Sequence, residues 1–217
     1  MKIRIFITIS TSFWMLDGYN PEHLEQLKKT KVCQKCDLTK AMLQGYNLPN
    51  ADVEGSDFSG ANMSGTQFPG ANFKDTILDD TILSSSLLQK ADFSGAKAHG
   101  AKFVNTLLRD AKFLGTDLSN ANFTSSSPYR TDFNGAIFSN TRFDHADMLN
   151  TSLRNSTGNI ITDDRTNICC TVMSDGSISS LSGYKCGSTE ASSCSSPSPI
   201  EYSETGKRQT LYTGKQS

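Results

Sequence analysis

Cys33-Gln34-Lys35-Cys36 is the first group in the chain whose residue type and spacing could do chemistry. Two thiols at this spacing fit a redox dithiol, half of a zinc site or a structural disulfide. A redox pair belongs at a helix start inside an α/β unit, which the flanking sequence does not offer. Zinc needs a second pair at similar spacing, and the adjacent Cys169-Cys170 does not supply one. Disulfide bonding is therefore the expectation for Cys33 and Cys36. The six cysteines, with Cys169, Cys170, Cys186 and Cys194, sit toward the two ends of the chain, which suits stapling in an oxidising compartment.

Little else could carry a reaction. His23, His99 and His145 are dispersed, and there is no nucleophile motif or glycine-rich phosphate loop. A carboxylate dyad would need burial to split its pKa values, whereas the acids here fall at solvent-facing positions of a repeat. The sequence is not expected to be an enzyme, and it calls for no cofactor and no metal. With 21 basic and 22 acidic residues it also lacks the electrostatic footprint of a nucleic-acid binder.

The elements that hold these residues come from an internal period. From Cys36 the chain divides into fives, CDLTK, AMLQG, YNLPN, ADVEG and onward to TSLRN, giving twenty-four windows over residues 36–155 without an insertion. The first position is small or hydroxylated except at Tyr46; the third is large and apolar except at Ala98 and Pro128. Ten of the twelve phenylalanines fall at that third position. Neither a helix, with period 3.6, nor a half-buried strand, with period 2, produces a strict five. A short extended stretch followed by a corner does. Four such sides close a square coil, so that residue n stacks on n+20, and about six coils make a column ~29 Å tall at ~4.8 Å per coil. First and third positions point inward, second and fourth face solvent, and the fifth forms the corner, where Gly, Asn and Asp recur. Ala98 and Pro128 predict a thinner core or a local bulge.

These windows resemble the pentapeptide-repeat family, whose pattern is Ala-(Asp/Asn)-Leu-x-x; residues 51–53, 61–63, 91–93 and 121–123 carry it most closely. The resemblance implies an all-β solenoid, a right-handed quadrilateral β-helix with a short N-terminal α-helical cap, and says little about function. Asn20-Pro21-Glu22 reads as the start of that helix, with Leu24 and Leu27 on its apolar face. Helix followed by Cys33-x-x-Cys36-Asp37-Leu38 is similar to the lead-in of exported, cyanobacterial-type members. A Cys-x-Thr-x-Met-Pro-Asp-Gly segment with a later cysteine closes many of them, with Ser174 standing here where that pattern has proline. It is matched by residues 169–176 and Cys186, which implies a disulfide from Cys186 to either Cys169 or Cys170.

The expected organisation is a signal-peptide-like segment (1–18), a helical cap (19–32), the repeat column (33–155), a disulfide-bearing C-terminal cap (156–187) and a disordered Ser/Pro-rich tail (188–217). Lys2 and Arg4 precede an apolar run diluted by Thr8, Ser10, Thr11 and Ser12, too short for a transmembrane span. Export to a periplasm, a thylakoid lumen or the extracellular space is expected, with a cytoplasmic location as the alternative. Ile77, Ile82 and Leu87 put apolar residues at outward second positions on successive sides of one coil, with Leu107 stacked on Leu87, which marks an interaction patch. The expected function is a structural or protein-interaction scaffold for an unknown protein partner, with homodimerisation through an end or face of the column as a further reading. The alternative is a DNA-mimic inhibitor of a type II topoisomerase, as in the family's quinolone-resistance branch. Residues 36–155 hold only thirteen acidic against ten basic side chains, a weak basis for mimicry.

Overall fold

The computed structural model describes residues 18–176 and the backbone of one further short strand. The expectations for the signal-like segment before Gly18, for Cys186 and for the Ser/Pro-rich tail fall outside the described residues.

Helix α1 (Pro21–Thr30) forms where its caps predict. The Asn20 side chain accepts the Glu22 amide, Pro21 occupies the first turn, and Lys31 closes the helix in the left-handed region with its N–H on the Leu27 carbonyl. Leu24 and Leu27 are buried against the first coil. Two hydrogen bonds fix the helix there: the Asn20 N–H donates to the Asp37 carbonyl at 3.1 Å, and the Asp37 N–H donates to His23 Nδ1 at 2.9 Å.

Beyond the helix, parallel bridges join residues twenty apart, from Val32 with Asp52 to Ser152 with Val172. The offset is that of a four-sided coil. Within a repeat such as residues 61–65, Asn62 donates back to Ala41 O, while Met63 and Gly65 donate forward to Ile82 O and Ser84 O. Thr66 N–H then closes the corner onto Met63 O. Three of every five amides thus tie one coil to its neighbours, and the fifth residue turns with φ near +60°, as at Asp80, Asn105 and Asp110. Asn and Asp tolerate this region better than other side chains.

The third-position residues fill the axis. Phenylalanines of two opposite faces form stacked ladders, Phe73–Phe93–Phe113–Phe133 and Phe103–Phe123–Phe143, with ring centroids 4.6–4.9 Å apart. The two ladders meet edge to face on the axis, as between Phe103 and Phe113 at 5.6 Å.

The stack extends beyond residues 36–155 at both ends. Residues 31–35 already form a side: Val32 bridges Asp52, and Cys33 is buried in a third-position slot. At the other end β1 (Ile137–Arg142) pairs in parallel with β2 (Thr157–Ile161), but the offset falls from twenty at Ile137–Thr157 to nineteen at Arg142–Ile161. It returns to twenty at Asp147–Asn167. One residue is missing from one side and restored before the next, so the column continues through β3 (Thr171–Val172), on which β4 (Ile178–Ser179) folds back antiparallel.

The two irregular third positions behave differently. Ala98 is fully buried and keeps its ladder bond to Asp117 O at 2.8 Å. Pro128 has no N–H to donate, and the bridge that would join Ser127 to Asp147 is the rung missing from its face.

Candidate functional site

The polar side chains of the column are mostly engaged by the column itself. The fourth-position amide is the one that the ladder leaves over. Where the second residue is Asp or Asn and the fourth is not proline, as Pro49 is after Asn47, its Oδ1 accepts that amide: Asp57 from Ser59 at 2.8 Å, Asp92 from Ser94 at 3.0 Å, Asp117 from Ser119 at 3.0 Å, Asn122 from Thr124 at 2.9 Å. This is an Asx turn repeated down the stack. First-position hydroxyls point inward and donate to carbonyls, as Thr81 does to Phe58 O and Thr131 to Leu108 O, both at 2.8 Å. Among the described residues no buried side-chain nitrogen or oxygen lacks a partner.

The sequence-predicted chemical residues do not converge. Cys33 and Cys36 form a disulfide, buried beneath α1. Cys169 and Cys170 are both disulfide-bonded as well. His23 is held by the Asp37 amide, His99 lies 2.9 Å from the Asn120 side chain, and His145 pairs with Asp163 at 2.8 Å, each on a different part of the column. Among the described residues no group of His, Cys, Asp and Glu is placed to hold a metal ion. Burial raises the pKa of Asp132, only partly opposed by the Asn134 backbone N–H it accepts and by the charge of Lys112.

What remains is the outer surface, which sorts into four faces. The first starts with residues 36–40, the second with 41–45, the third with 46–50 and the fourth with 51–55, each recurring every twenty residues. Acidic residues concentrate on the adjacent fourth and first faces: Asp52, Glu54, Asp75, Asp92 and Asp132 on one, Asp37, Asp57, Asp79, Asp80 and Asp117 on the other.

The patch expected from sequence is divided by this geometry. Ile77 stacks on Asp57 in the first face, Ile82 on Asn62 in the second, and Leu87 and Leu107 stack together in the third. Side chains on three faces of a square column do not share a surface, so Ile77 and Ile82 are not part of one patch with Leu87 and Leu107. The third face instead adds residues that the sequence reading passed over. Each of its coils presents one apolar outward side chain: Pro49, Pro69, Leu87, Leu107, Tyr129 and Leu149. Proline is tolerated at the fourth position because that amide has no ladder partner to lose. The signal was available at a period of twenty, alternating between second and fourth positions.

A shallow groove of about 350 Å³ runs along this face between Leu107, Ser127 and Asp147 on one side and Gln89, Arg109, Tyr129 and Leu149 on the other. The Arg109 guanidinium sits 5.3 Å from the Tyr129 ring centre. Arg109 and Arg130 share the Asp110 carboxylate at 3.5 and 3.0 Å. A second depression, about 410 Å³, is an open hollow on the outer side of α1 beside Pro21, Glu25 and Lys29.

No curated protein matches the chain. Among solved structures, a pentapeptide repeat protein of the cyanobacterium Cyanothece 51142 is 17% identical over 68% of this chain and 97% of its own, with a TM-score of 0.38. HetL from Nostoc sp. strain PCC 7120, a pentapeptide repeat protein involved in heterocyst differentiation regulation, is 20% identical over 74% and 99%, with a TM-score of 0.28. A pentapeptide repeat protein from the Arabidopsis thaliana thylakoid lumen is 27% identical over 43% and 69%, with a TM-score of 0.23. The family profile for pentapeptide repeats matches eight copies, over residues 36–75, 70–103, 86–124 and 129–157. With more than half of its residues inside those matched repeats, the chain belongs to the pentapeptide-repeat family, whose members form right-handed quadrilateral β-helices.

Proposed function

We propose that this chain is an exported, non-catalytic scaffold that docks a protein partner on a face of its solenoid. The observation that carries the reading is that the groups with chemical potential serve the fold. Second-position carboxylates cap amides, first-position hydroxyls donate to carbonyls, and no cluster of titratable groups converges among the described residues. Disulfide bonding of Cys33, Cys36, Cys169 and Cys170 supports an oxidising compartment. No helix among the described residues is long and apolar enough to cross a membrane. An intact mass of the protein from its native cell, with and without reduction before alkylation, tests the reading. Loss of roughly the first dozen to eighteen residues with all cysteines oxidised is the expected result. A mass that includes those residues with free thiols would overturn the exported location.

A second reading, inhibition of a type II topoisomerase by DNA mimicry, is favoured by the gathering of ten acidic side chains on two adjacent faces. Against it, Lys40, Lys74, Lys97, Lys112 and Arg154 interrupt the same faces, and Asp37, Asp52, Asp57, Asp92, Asp117 and Asp132 already accept backbone amides. Mimicry needs a dense acidic surface matched to phosphate spacing. A gyrase supercoiling assay decides the point, and inhibition at micromolar protein would establish this second reading over the first.

A further inference from the structure

The third face carries an inference that rests on the docking reading and sharpens it. It is the one face of the column with an apolar outward side chain in each of six consecutive coils, from Pro49 to Leu149. Leu107, at its centre, is 43% exposed. Apart from its corners, the face carries only two charged residues over that length, Arg109 and Asp147. The corner beside it is basic: Lys90, Arg109 and Arg130 surround Asp110, and two guanidiniums share that single carboxylate.

Backbone chemistry restricts what can lie on such a face. Its ladder N–H and C=O groups point along the column axis into neighbouring coils, so the face offers no strand edge for an added strand to pair with. An extended peptide laid there would leave its own backbone to water. An α-helix satisfies its own hydrogen bonds and contributes only side chains. Its spacing also fits. The turns of a helix recur at ~5.4 Å and the coils at ~4.8 Å, so successive turns can seat in successive coil rows for several turns before drifting out of step. Six rows span ~24 Å, the length of about sixteen helical residues.

We propose that the third face receives an amphipathic α-helix of a partner protein. Its apolar stripe lies against Leu87, Leu107, Tyr129 and Leu149, and its acidic edge lies toward Lys90, Arg109 and Arg130. A second copy of this chain fits less well, because the face and its corner hold three basic side chains against two acids, and two copies would bring these excess positive charges together.

The test uses the chain with its disulfides intact and three synthetic peptides of sixteen residues, followed by fluorescence anisotropy. One has leucines at helical spacing and glutamates along one flank. The second has lysines in place of those glutamates, and the third has the first composition scrambled. The glutamate-flanked helix is expected to bind at least tenfold more tightly than the other two. Leu107→Asp should weaken it at least tenfold and Arg130→Glu should abolish the preference for glutamate. Ile137→Asp, exposed on the first face, should leave binding unchanged. Equal binding of the scrambled or lysine peptide, equal damage from Ile137→Asp, or no binding at millimolar peptide overturns the proposal. A photo-crosslinking residue in place of Leu107 or of Ile137, in the producing cell, separates this proposal from the broader one. Adducts only at the Ile137 position, or at neither, refute the third face, and the scaffold reading falls with it only when probes at Lys102 and Lys112, on the second and fourth faces, also give none.

Discussion

An aspartate at the second position of a repeat looks solvent-facing and idle, yet it answers the one amide that the ladder leaves without a carbonyl. Asp117 illustrates it, accepting the Ser119 N–H at 3.0 Å. Asp117→Ala should destabilise the column by about 1 kcal/mol, the cost of an uncapped amide, while Asp117→Asn keeps the acceptor and most of the stability. Urea unfolding of the two variants measures the difference. Asp132 adds a pH dependence. Burial raises its pKa, so the folded state holds the proton more tightly than the unfolded chain. The stability this contributes is present below the ordinary carboxylate pKa and is lost as pH rises through the higher folded value. Asp132→Asn preserves the acceptor for Asn134 and removes the buried charge. It should be more stable than the parent at neutral pH, with the advantage vanishing under acid, as a pH series of unfolding curves would show.

The phenylalanine ladders and the corners set stability at the level of coils. Phe103 stacks on Phe123 at 4.6 Å and meets Phe93 and Phe113 edge to face. Phe103→Ala opens the axis and should cost roughly 3–5 kcal/mol, with Phe103→Leu costing much less; chemical denaturation checks both. Gly158 marks the side that lost a residue. Its φ is +86°, and an added Cβ would come within 2.7 Å of the Phe138 carbonyl oxygen. Gly158→Ala should therefore cost on the order of 1–3 kcal/mol and speed amide exchange in the final coil. The period of five made the ladders and corners legible, because two inward positions in every five admit no other periodicity. The amide caps were not legible. Polarity at the second position reads the same whether the side chain meets water or its own backbone. The ends of the column were hidden too. Lys31 breaks the small-residue rule at the first position of its side, and the one-residue deficit near Gly158 erases the fives although the stacking resumes.

Across the whole molecule, contacts run between residues twenty apart, so position on a face is decided by phase along the chain. That explains why the apolar stripe of the third face was only half visible in sequence. Leu87 and Leu107 lie one period apart, whereas Ile77 and Ile82 are nearer in sequence and on other sides. Tyr129 and Leu149 belong to the same stripe but stand at the fourth position, outside a search confined to the second. Phase along the chain also governs how such a column tolerates change in length. Deleting residues 76–95 removes one full circuit, leaving Pro49, Pro69, Leu107, Tyr129 and Leu149 in line on a shorter column. Deleting residues 76–80 alone preserves the inward pattern but advances everything downstream by a quarter turn. Both variants should fold to β-rich, cooperatively melting columns by circular dichroism. The quarter-turn variant alone would carry its prolines on one wall and its leucines on the next. In this architecture length is adjustable by whole circuits, and rotation is where a small deletion does its damage.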